Sequence, residues 1–436
     1  MTPVLPIVLA FALTAALIVI MRPLALVVGL VDVPNARKVH QGPIPLVGGL
    51  AIFAAVAVAS AIPAWSGLSA AAPEILSFLL AGLLLVAVGV VDDFLELSPR
   101  IRFMAQTAAA LAMIFSGGIL LSDLGSMTVS GAVLHLGVLA IPFTIFTTIG
   151  VINALNMCDG LDGLSGSQAL ISLLGFWIAE TVWGGGESAA LLAVLGGGII
   201  GFLLFNLRLP GRNRASIFLG DAGSMFLGFA VTWFAISLSQ GPDRVIKPAA
   251  ALWFVMVPII DAVAMMLRRM ARGRSPFSPD REHLHHIFLL AGYSVNQTVA
   301  IMAALGSIGV AVGLASTWWD WSDLAIAVAF LGVGIVYFVL IMHAWRVMRF
   351  FRRSICRRRS TVADRRTQED RRKMHGTAYA GPERRCGTDR RQGLPRRAAD
   401  ITRCRVPGRA PEPGASQSPA HASAGPGATR SRRRSA

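Results

Sequence analysis

The sequence predicts an all-α, polytopic membrane protein of about eleven transmembrane helices with a disordered basic C-terminal tail. Of its 436 residues, 54% are hydrophobic and only 15% are charged, and long apolar runs recur along most of the chain. Soluble domains carry about a quarter of charged residues, and a bilayer core needs about 20 apolar residues per helix. The apolar excess therefore belongs in lipid. The predicted spans lie near 4–21, 46–64, 76–91, 104–121, 133–152, 168–183, 188–206, 217–238, 249–267, 297–316 and 323–344.

Positive charge is concentrated at the C-terminal end. The formal net charge is +16, but the part from residue 344 onward holds 25 Lys/Arg and only 7 Asp/Glu. We predict a nearly neutral transmembrane domain at 1–345 and a cytosolic, largely disordered tail at 346–436. Such a tail is drawn to anionic membrane surfaces, and its lack of interleaved aromatic residues disfavours nucleic-acid binding. The four cysteines form no disulfide framework, so reduced thiols are expected.

The distribution of Lys and Arg among the loops predicts the orientation. We number each loop by the helix that it follows. Odd-numbered loops carry 13 Lys/Arg, whereas even-numbered loops carry only Arg244 and Lys247. Because basic residues collect on the cytosolic side, the odd loops and the tail are predicted to be cytosolic and the N-terminus periplasmic.

The first two odd loops contain basic and acidic motifs. Arg37 and Lys38 lie in a long loop rich in Pro and Gly, which is either an anion-binding segment or only a positive-inside anchor. Asp92 and Asp93 directly follow an apolar helix. A divalent cation or a nearby Arg would offset the repulsion between these two carboxylates. The alternative is a helix cap with an exposed acid beside it.

The third odd loop holds the most specific motif. Asn153, Asn156, Asp159 and Asp162 recur at every third position, with two glycines interspersed. Residues three apart are neighbours on a helix, so these side chains predict a polar stripe at the inner end of a helix. Oxygen ligands of this kind suit Mg²⁺, which takes one or two carboxylates and leaves other positions to phosphates. A plain turn rich in Asp and Asn is the alternative.

The last two odd loops add an acid and three histidines. Asp221 lies between glycines just inside an apolar span, where a carboxylate is a functional candidate by default. His283, His285 and His286 suggest a transition-metal site, but no cysteine or second histidine cluster completes a ligand set. Binding of phosphates through charge-assisted hydrogen bonds is favoured over that alternative.

Together, the five loops predict a site for polyanions at the membrane surface. A transporter of anionic solutes is the alternative from another class of protein. It would carry its ionisable residues near the bilayer midplane, where the predicted spans are mostly apolar. Carboxylates, a divalent cation and basic residues are what phosphoryl transfer requires, because its catalysis is mostly positioning and charge neutralisation.

These motifs resemble the polyprenyl-phosphate N-acetylhexosamine-1-phosphate transferases (glycosyltransferase family 4). The resemblance covers about residues 1–345. It rests on Val31-Asp32…Asn35-Ala-Arg37-Lys38-Val-His40, Asp92-Asp93, Asn153-x-x-Asn156-x-x-Asp159-Gly-x-Asp162-Gly-Leu, Phe218-Leu-Gly-Asp221-Ala-Gly-Ser and Pro276-Phe-Ser-Pro-Asp280-Arg-Glu-His283-Leu-His-His286. The last motif is similar to that of bacterial undecaprenyl-phosphate GlcNAc-1-phosphate transferases. The phospho-MurNAc-pentapeptide branch usually has a Lys soon after its Asp pair, where this chain has Phe94-Leu-Glu96.

The resemblance implies an activity and a set of site residues. It implies transfer of GlcNAc-1-phosphate from UDP-GlcNAc to undecaprenyl phosphate at the cytosolic face of the bacterial inner membrane. UMP would be released, and the lipid-linked product would start O-antigen or related envelope glycans. Another UDP-N-acetylhexosamine is the alternative donor. Mg²⁺, or Mn²⁺ in its place, is the implied cofactor; membrane lipids and a homo-oligomer are further expected partners. The implied residues are Asp92, Asp93, Asp159 and Asp162 for catalysis; Arg37, Lys38, Asn153, Asn156, His283, His285 and His286 for substrate binding; and Asn156, Asp221, Asp92 and Asp93 for the metal.

Overall fold

A computed structural model describes residues 4–33, 42–62, 73–186, 188–275 and 283–343. The chain separates into two units, Met1–Glu369 and Asp370–Ala436, and all described residues belong to the first. Arg37, Lys38 and the predicted tail lie outside the described residues. The predicted domain boundary near residue 345 therefore stays a prediction.

The described residues form thirteen α-helices and one small antiparallel pair of strands, β1 (Val31–Asp32) and β2 (Ile44–Pro45). The all-α prediction is confirmed for them. The helices are α1 (Val4–Val28), α2 (Gly48–Ser60), α3 (Pro73–Leu95), α4 (Pro99–Phe115), α5 (Ala140–Cys158), α6 (Leu164–Trp183), α7 (Ala189–Asn206), α8 (Gly220–Ser237), α9 (Pro248–Phe254), α10 (Met256–Ala271), α11 (Leu284–Ala291), α12 (Val295–Trp318) and α13 (Asp323–Met342).

The helices identify a multi-pass membrane protein. Within the described part of the chain, six helices are long and apolar enough to cross a membrane: α1, α3, α5 (with the short turn before it), α7, α12 and α13. The bent pair α9 and α10 makes a seventh if it counts as one span. The other four predicted spans coincide with α2, α4, α6 and α8. The count of eleven spans therefore goes beyond the six or seven that length and composition support.

Helix α8 lies at the centre of the bundle and packs against α2, α3, α5 and α6. Nearly all of its residues are buried, including Phe226, Phe229 and Phe234. The ring of Phe78 on α3 lies 5.8 Å from that of Phe229 and 5.9 Å from that of Phe226. Aromatic pairs at such distances add to the free energy gained from burial. The core therefore fixes the position of α8, which carries Asp221 in its first turn.

Small residues let the neighbours of α8 approach its first turn. Gly49 of α2 lies against the backbone of Gly223, and Gly89 of α3 lies against that of Ala222. A side chain at Gly49 or Gly89 would overlap this backbone. The start of α2 is also joined to the segment before α8, because the amide of Gly49 donates to the carbonyl of Leu219 at 2.9 Å. The inner ends of α2, α3 and α8 thus meet where the acidic motifs lie.

The predicted span at 249–267 is broken into α9 and α10, which meet at an angle of 85°. Pro258 explains the break, because proline has no amide hydrogen to donate to the carbonyl four residues earlier. That carbonyl, on Phe254, accepts a hydrogen bond from Ser172 Oγ of α6 at 2.6 Å instead. The bend redirects α10 towards the segment that carries the histidines.

Candidate active site

One large cavity, with a volume of about 1860 Å³, draws residues from all five odd-numbered loops. Its lining comes from the segments 29–33, 44–46, 92–102, 156–162, 206–221 and 286–295. Seven of the predicted site residues line it: Asp92, Asp93, Asn156, Asp159, Asp162, Asp221 and His286. The motifs that are far apart in sequence therefore share one space.

A hydrogen-bonded group of Asp93, Asn156 and Asp221 forms the floor of the cavity. The backbone amide of Asp221 donates to Asp93 Oδ1 at 2.9 Å. Asn156 Nδ2 donates to Asp221 Oδ1 at 2.6 Å and to Ser224 Oγ at 2.8 Å. Asp221 also lies in the first turn of α8, where the helix dipole favours a negative charge. Asn156 therefore orients Asp221. The role of Asn156 as a metal ligand stays a prediction.

One carboxylate oxygen on this floor has no hydrogen-bond partner among the described residues. Asp93 Oδ2 is buried and accepts no hydrogen bond from the described residues. It lies close to Gly220, whose φ of +75° belongs to the left-handed region that favours glycine. A Cβ at Gly220 would lie 2.5 Å from that oxygen. Leaving a buried charged acceptor unsatisfied is costly, so the site is arranged to receive a donor or a cation here.

Asp92 differs from its neighbour because both of its oxygens are engaged. The amide of Leu97 donates to Oδ1 at 2.7 Å, and Arg102 Nη1 lies 3.2 Å from Oδ2. The carboxylate is 4% exposed, whereas the Arg102 side chain faces the cavity. The adjacent carboxylates therefore differ in their partners: Asp92 holds Arg102 and lies beside the Asp221 side chain, whereas Asp93 accepts from the Asp221 amide.

Asp159 and Asp162 lie beyond the helix, so the predicted four-residue stripe is only half helical. Helix α5 ends at Cys158 and carries Asn153 and Asn156, whereas the two acids follow in a turn. Enclosure by the surrounding protein raises the pKa of Asp159 to about 8, and the charges of Asp221, Asp93 and Asp162 also raise it. The Asp159 side chain is nevertheless open to the cavity, so a cation from solvent can reach it.

Asp162 fixes the loop between α7 and α8 through two hydrogen bonds. Arg208 Nε donates to Asp162 Oδ2 at 2.6 Å, and the amide of Ala215 donates to the same oxygen at 3.1 Å. These bonds connect the turn after α5 with the segment between α7 and α8. Asp162 therefore fixes part of the cavity wall.

The three histidines have different surroundings. His286 lines the cavity. His285 is 1% exposed, lies against Gly160, and has no hydrogen-bond partner for either ring nitrogen within the described ranges. His283 Nδ1 lies 2.9 Å from Asp261 Oδ2. No group of three or more His, Cys, Asp or Glu side chains in the described part of the chain is arranged to hold a metal ion.

Asn153, like the predicted binding residues His283 and His285, does not line the cavity. Its Nδ2 donates to Gln106 Oε1 at 2.7 Å and to the carbonyl of Ile149 at 2.8 Å. The bond to Gln106 joins α5 to α4, and the bond to Ile149 lies within α5. The predicted role of Asn153 in substrate binding therefore lacks a contact with the cavity, and the geometry indicates a structural bond between helices.

Several cavity residues were missed as individual site residues in the sequence. Arg102, Arg208, Arg212 and Arg214 line the cavity, although the sequence shows them only as part of the cytosolic excess of basic residues. Asp261 was also missed. A carboxylate inside an apolar helical stretch is a functional candidate by default, so its position was a usable signal.

Comparisons of the sequence with known proteins identify the family of this chain. The model of the family described as "Glycosyl transferase family 4" matches residues 75–239. A Haemophilus influenzae protein named undecaprenyl-phosphate alpha-N-acetylglucosaminyl 1-phosphate transferase is 36% identical over 77% of this chain and 93% of its own length. Proteins of the same name from Escherichia coli O157:H7 and Yersinia pestis are each 35% identical, over 79% of this chain and 92% of their own lengths. The chain belongs to glycosyl transferase family 4.

Proposed function

We propose that the protein transfers GlcNAc-1-phosphate from UDP-GlcNAc to undecaprenyl phosphate and releases UMP; the name of its relatives gives the transferred group and the acceptor for those proteins. The observation that carries the proposal is the single cavity in which five motif-bearing loops meet. Those loops hold nearly all the basic residues of the membrane domain, which supports a site on the cytosolic side of a bacterial inner membrane and a periplasmic N-terminus. The product would start O-antigen or related envelope glycans.

The acidic floor fits Mg²⁺ or Mn²⁺. Mg²⁺ is usually held by one or two protein carboxylates together with substrate phosphates and water, so it does not require a cluster of three protein ligands. Asp93 and Asp221 are joined through a backbone hydrogen bond, and Asp93 Oδ2 has no partner in the described residues. These two side chains would hold the ion, with Asp159 nearby. When bound, the ion would neutralise charge on the phosphate oxygens.

In the proposed reaction, an oxygen of the lipid phosphate attacks the sugar-bearing phosphorus of UDP-GlcNAc. A new phosphorus–oxygen bond forms, the bond to the bridging oxygen breaks, and UMP leaves with that oxygen. The second pKa of a phosphate monoester is about 6, so the nucleophile is already largely dianionic at neutral pH. The main task of the protein is therefore to bring two anions together in line.

The cavity walls carry residues suited to that task. Arg102, held by Asp92, lies on the wall formed by α3 and α4, and Arg208, held by Asp162, lies on the loop between α7 and α8. Guanidinium groups bind phosphate oxygens through paired, charge-assisted hydrogen bonds. Asn156 keeps Asp221 oriented, and His286 faces the space from α11. We assign Arg37 and Lys38 to anion binding from the sequence motif alone.

Breaking the contact between Asp162 and Arg208 should weaken binding of the nucleotide sugar. Asp162→Asn removes the charge that fixes Arg208 and the loop at 207–215, so we expect KM for UDP-GlcNAc to rise about tenfold. Steady-state kinetics with each substrate varied in turn would measure this. Arg208→Ala should produce a similar rise, and the double variant should be little worse than either single variant. Independent, additive losses would contradict the pairing.

Lower pH should weaken cation binding. Because the pKa of Asp159 is raised to about 8, this group carries a proton at pH 6.5 that an arriving cation must displace. We expect the affinity for Mn²⁺, followed by electron paramagnetic resonance without substrates, to fall roughly 20-fold from pH 8.5 to pH 6.5. The Asp159→Asn variant should lose most of this dependence. An affinity that is the same at both pH values in the wild type would count against the assignment.

Removing the basic tail should leave catalysis intact. The motifs of the cavity all lie before residue 296, whereas the tail supplies mainly net positive charge. We expect a chain that ends at residue 359 to release UMP in detergent at a rate within about twofold of the full-length protein. A folded truncate without activity would show that the tail contributes to the site.

The proposed function is tested with the purified protein, undecaprenyl phosphate, Mg²⁺ and a panel of UDP-sugars. Release of UMP and formation of the lipid-linked sugar with UDP-GlcNAc would support it. Activity only with another UDP-N-acetylhexosamine would keep the reaction class and change the donor. Absence of UMP together with uptake of anionic solutes into proteoliposomes would favour a transporter.

A further inference from the structure

Asp261 gathers three hydrogen bonds in a place where a carboxylate is costly. It lies on α10 and is 2% exposed. His283 Nδ1 lies 2.9 Å from its Oδ2, and the amide of Leu284 donates to Oδ1 at 3.1 Å. The hydroxyl of Tyr337 on α13 donates to Oδ1 as well. A buried charge needs such partners, so these contacts explain how the carboxylate is kept inside the bundle.

The first two of these contacts place the start of α11. His283 precedes the helix and has no capping hydrogen bond of its own side chain, and Leu284 is its first residue. The Asp261 carboxylate therefore accepts from the N-terminus of α11 in place of a local cap. Because it comes from α10, it fixes the position of α11 as well as its end.

The position of α11 determines where two histidines lie. His286 reaches the cavity, and its ring lies 4.2 Å from that of His285. His285 lies against Gly160 in the turn that follows α5. A shift of α11 would therefore move both rings relative to the turn that carries Asp159 and Asp162.

Tyr337 is the most distant member of this chain of contacts. It does not line the cavity, and it packs beside Met265, Ile287 and Ile341. Ile287 belongs to α11, so Tyr337 packs against a cluster that includes that helix, and its hydroxyl donates to Asp261. Tyr337 also borders the apolar cluster that contains Trp253 and Met302, but Asp261 and the cluster with Ile287 are the neighbours that lead towards α11.

We propose that Tyr337 and Asp261 are positioning residues that set α11, and with it His285 and His286, against the cavity. The proposal deepens the proposed function and rests on it for its kinetic test. Helix α13, the last helix of the described residues, thereby acts on a cavity that none of its described residues lines.

Tyr337→Phe tests the proposal because it keeps the ring and removes only the hydroxyl. We expect KM for UDP-GlcNAc to rise about tenfold, as for a lost hydrogen bond to a charged acceptor, with a thermal midpoint within about 2 °C of the wild type. Tyr293→Phe is the matched control, since the described structure records no hydrogen bond of the Tyr293 hydroxyl; its kinetics should stay at the wild-type values.

A double-mutant cycle with His286→Ala separates positioning from general stability. If Tyr337 acts through α11, Tyr337→Phe should have little further effect once His286 is removed. Two effects that simply multiply, or wild-type kinetics in Tyr337→Phe, would overturn the proposal.

Hydrogen exchange provides a measurement that does not depend on activity. The amides of 286–291 should exchange faster in Tyr337→Phe and in Asp261→Asn than in the wild type. Unchanged exchange there would overturn the positioning role. Failure of every UDP-sugar to yield UMP, with faster exchange in the variants, would instead reject the proposed function and keep the arrangement of α11.

Discussion

Asp221→Asn should lower the rate of UMP release by at least about a thousandfold, in the range found when a preorganised catalytic group is removed. The substitution keeps the shape of the side chain and removes its charge. In the wild type, Asn156 Nδ2 donates to Asp221 Oδ1, and the substitution places an amide opposite that donor. The negative charge at the start of α8 that would hold the cation on the substrate phosphates is then lost. UMP release would be measured in detergent with saturating UDP-GlcNAc and undecaprenyl phosphate.

Asp243→Asn is the matched control for this prediction. Asp243 is exposed in the loop between α8 and α9, at the other end of α8 from the cavity. The same chemical change there should leave turnover within about twofold of the wild type. The Mn²⁺ affinity of Asp221→Asn should fall together with its activity. Near-normal turnover in Asp221→Asn would remove the basis for the metal assignment.

Gly49→Ala should reduce activity about 100-fold, although Gly49 does not line the cavity. Its new methyl group would overlap the backbone of Gly223, and it would lie 2.9 Å from the carbonyl carbon of Ala222. The overlap cannot be relieved by a side-chain rotation, so α2 and α8 must separate. Overpacking of this kind costs about 1–3 kcal/mol, and a displacement of about 1 Å at a reacting centre can cost about 100-fold in rate.

Gly150→Ala distinguishes this effect from a general sensitivity to glycine replacement. Gly150 lies within α5, and nothing comes within 4 Å of a Cβ built there. Alanine is a better helix former than glycine by about 1 kcal/mol, so this variant should be as stable as the wild type or slightly more stable. Thermal unfolding and UMP release would be measured for both variants. Equal behaviour of the two would contradict the close crossing of α2 and α8.

The sequence could predict which loops carry the site because two strong signals coincide there. Apolar runs set the helices, the Lys/Arg bias sets the side, and Asp92, Asp93, Asp159 and Asp221 follow from their place beside apolar runs. Each predicted span coincides with a helix or with the pair α9 and α10. The break between that pair was missed, although Pro258 within the apolar run was a warning.

The pairings inside the site could not be read from the sequence. Asn156 and Asp221 are 65 residues apart, and Asp162 and Arg208 are 46 residues apart. Nothing local fixes which of several loop arginines meets which carboxylate; that depends on how α5, α7 and α8 pack. For the same reason, the sequence could not predict that Asp92 and Asp93 have different partners.

The cavity is assembled from segments that span residues 29 to 295, and this has a consequence for biogenesis. During synthesis, the part of the cavity lining that follows α1 is made early, whereas His286 is made some two hundred and fifty residues later. A nascent chain that has inserted only its first half contains Asp92 and Asp93 at the end of α3 but lacks Asp221 and α11. Under the proposed function, such an intermediate would have an incomplete site, and activity would require the insertion of α8 and α11. Insertion of a single helical hairpin in the inverted orientation would likewise remove part of the cavity lining. Activity would therefore be a sensitive reporter of correct membrane insertion.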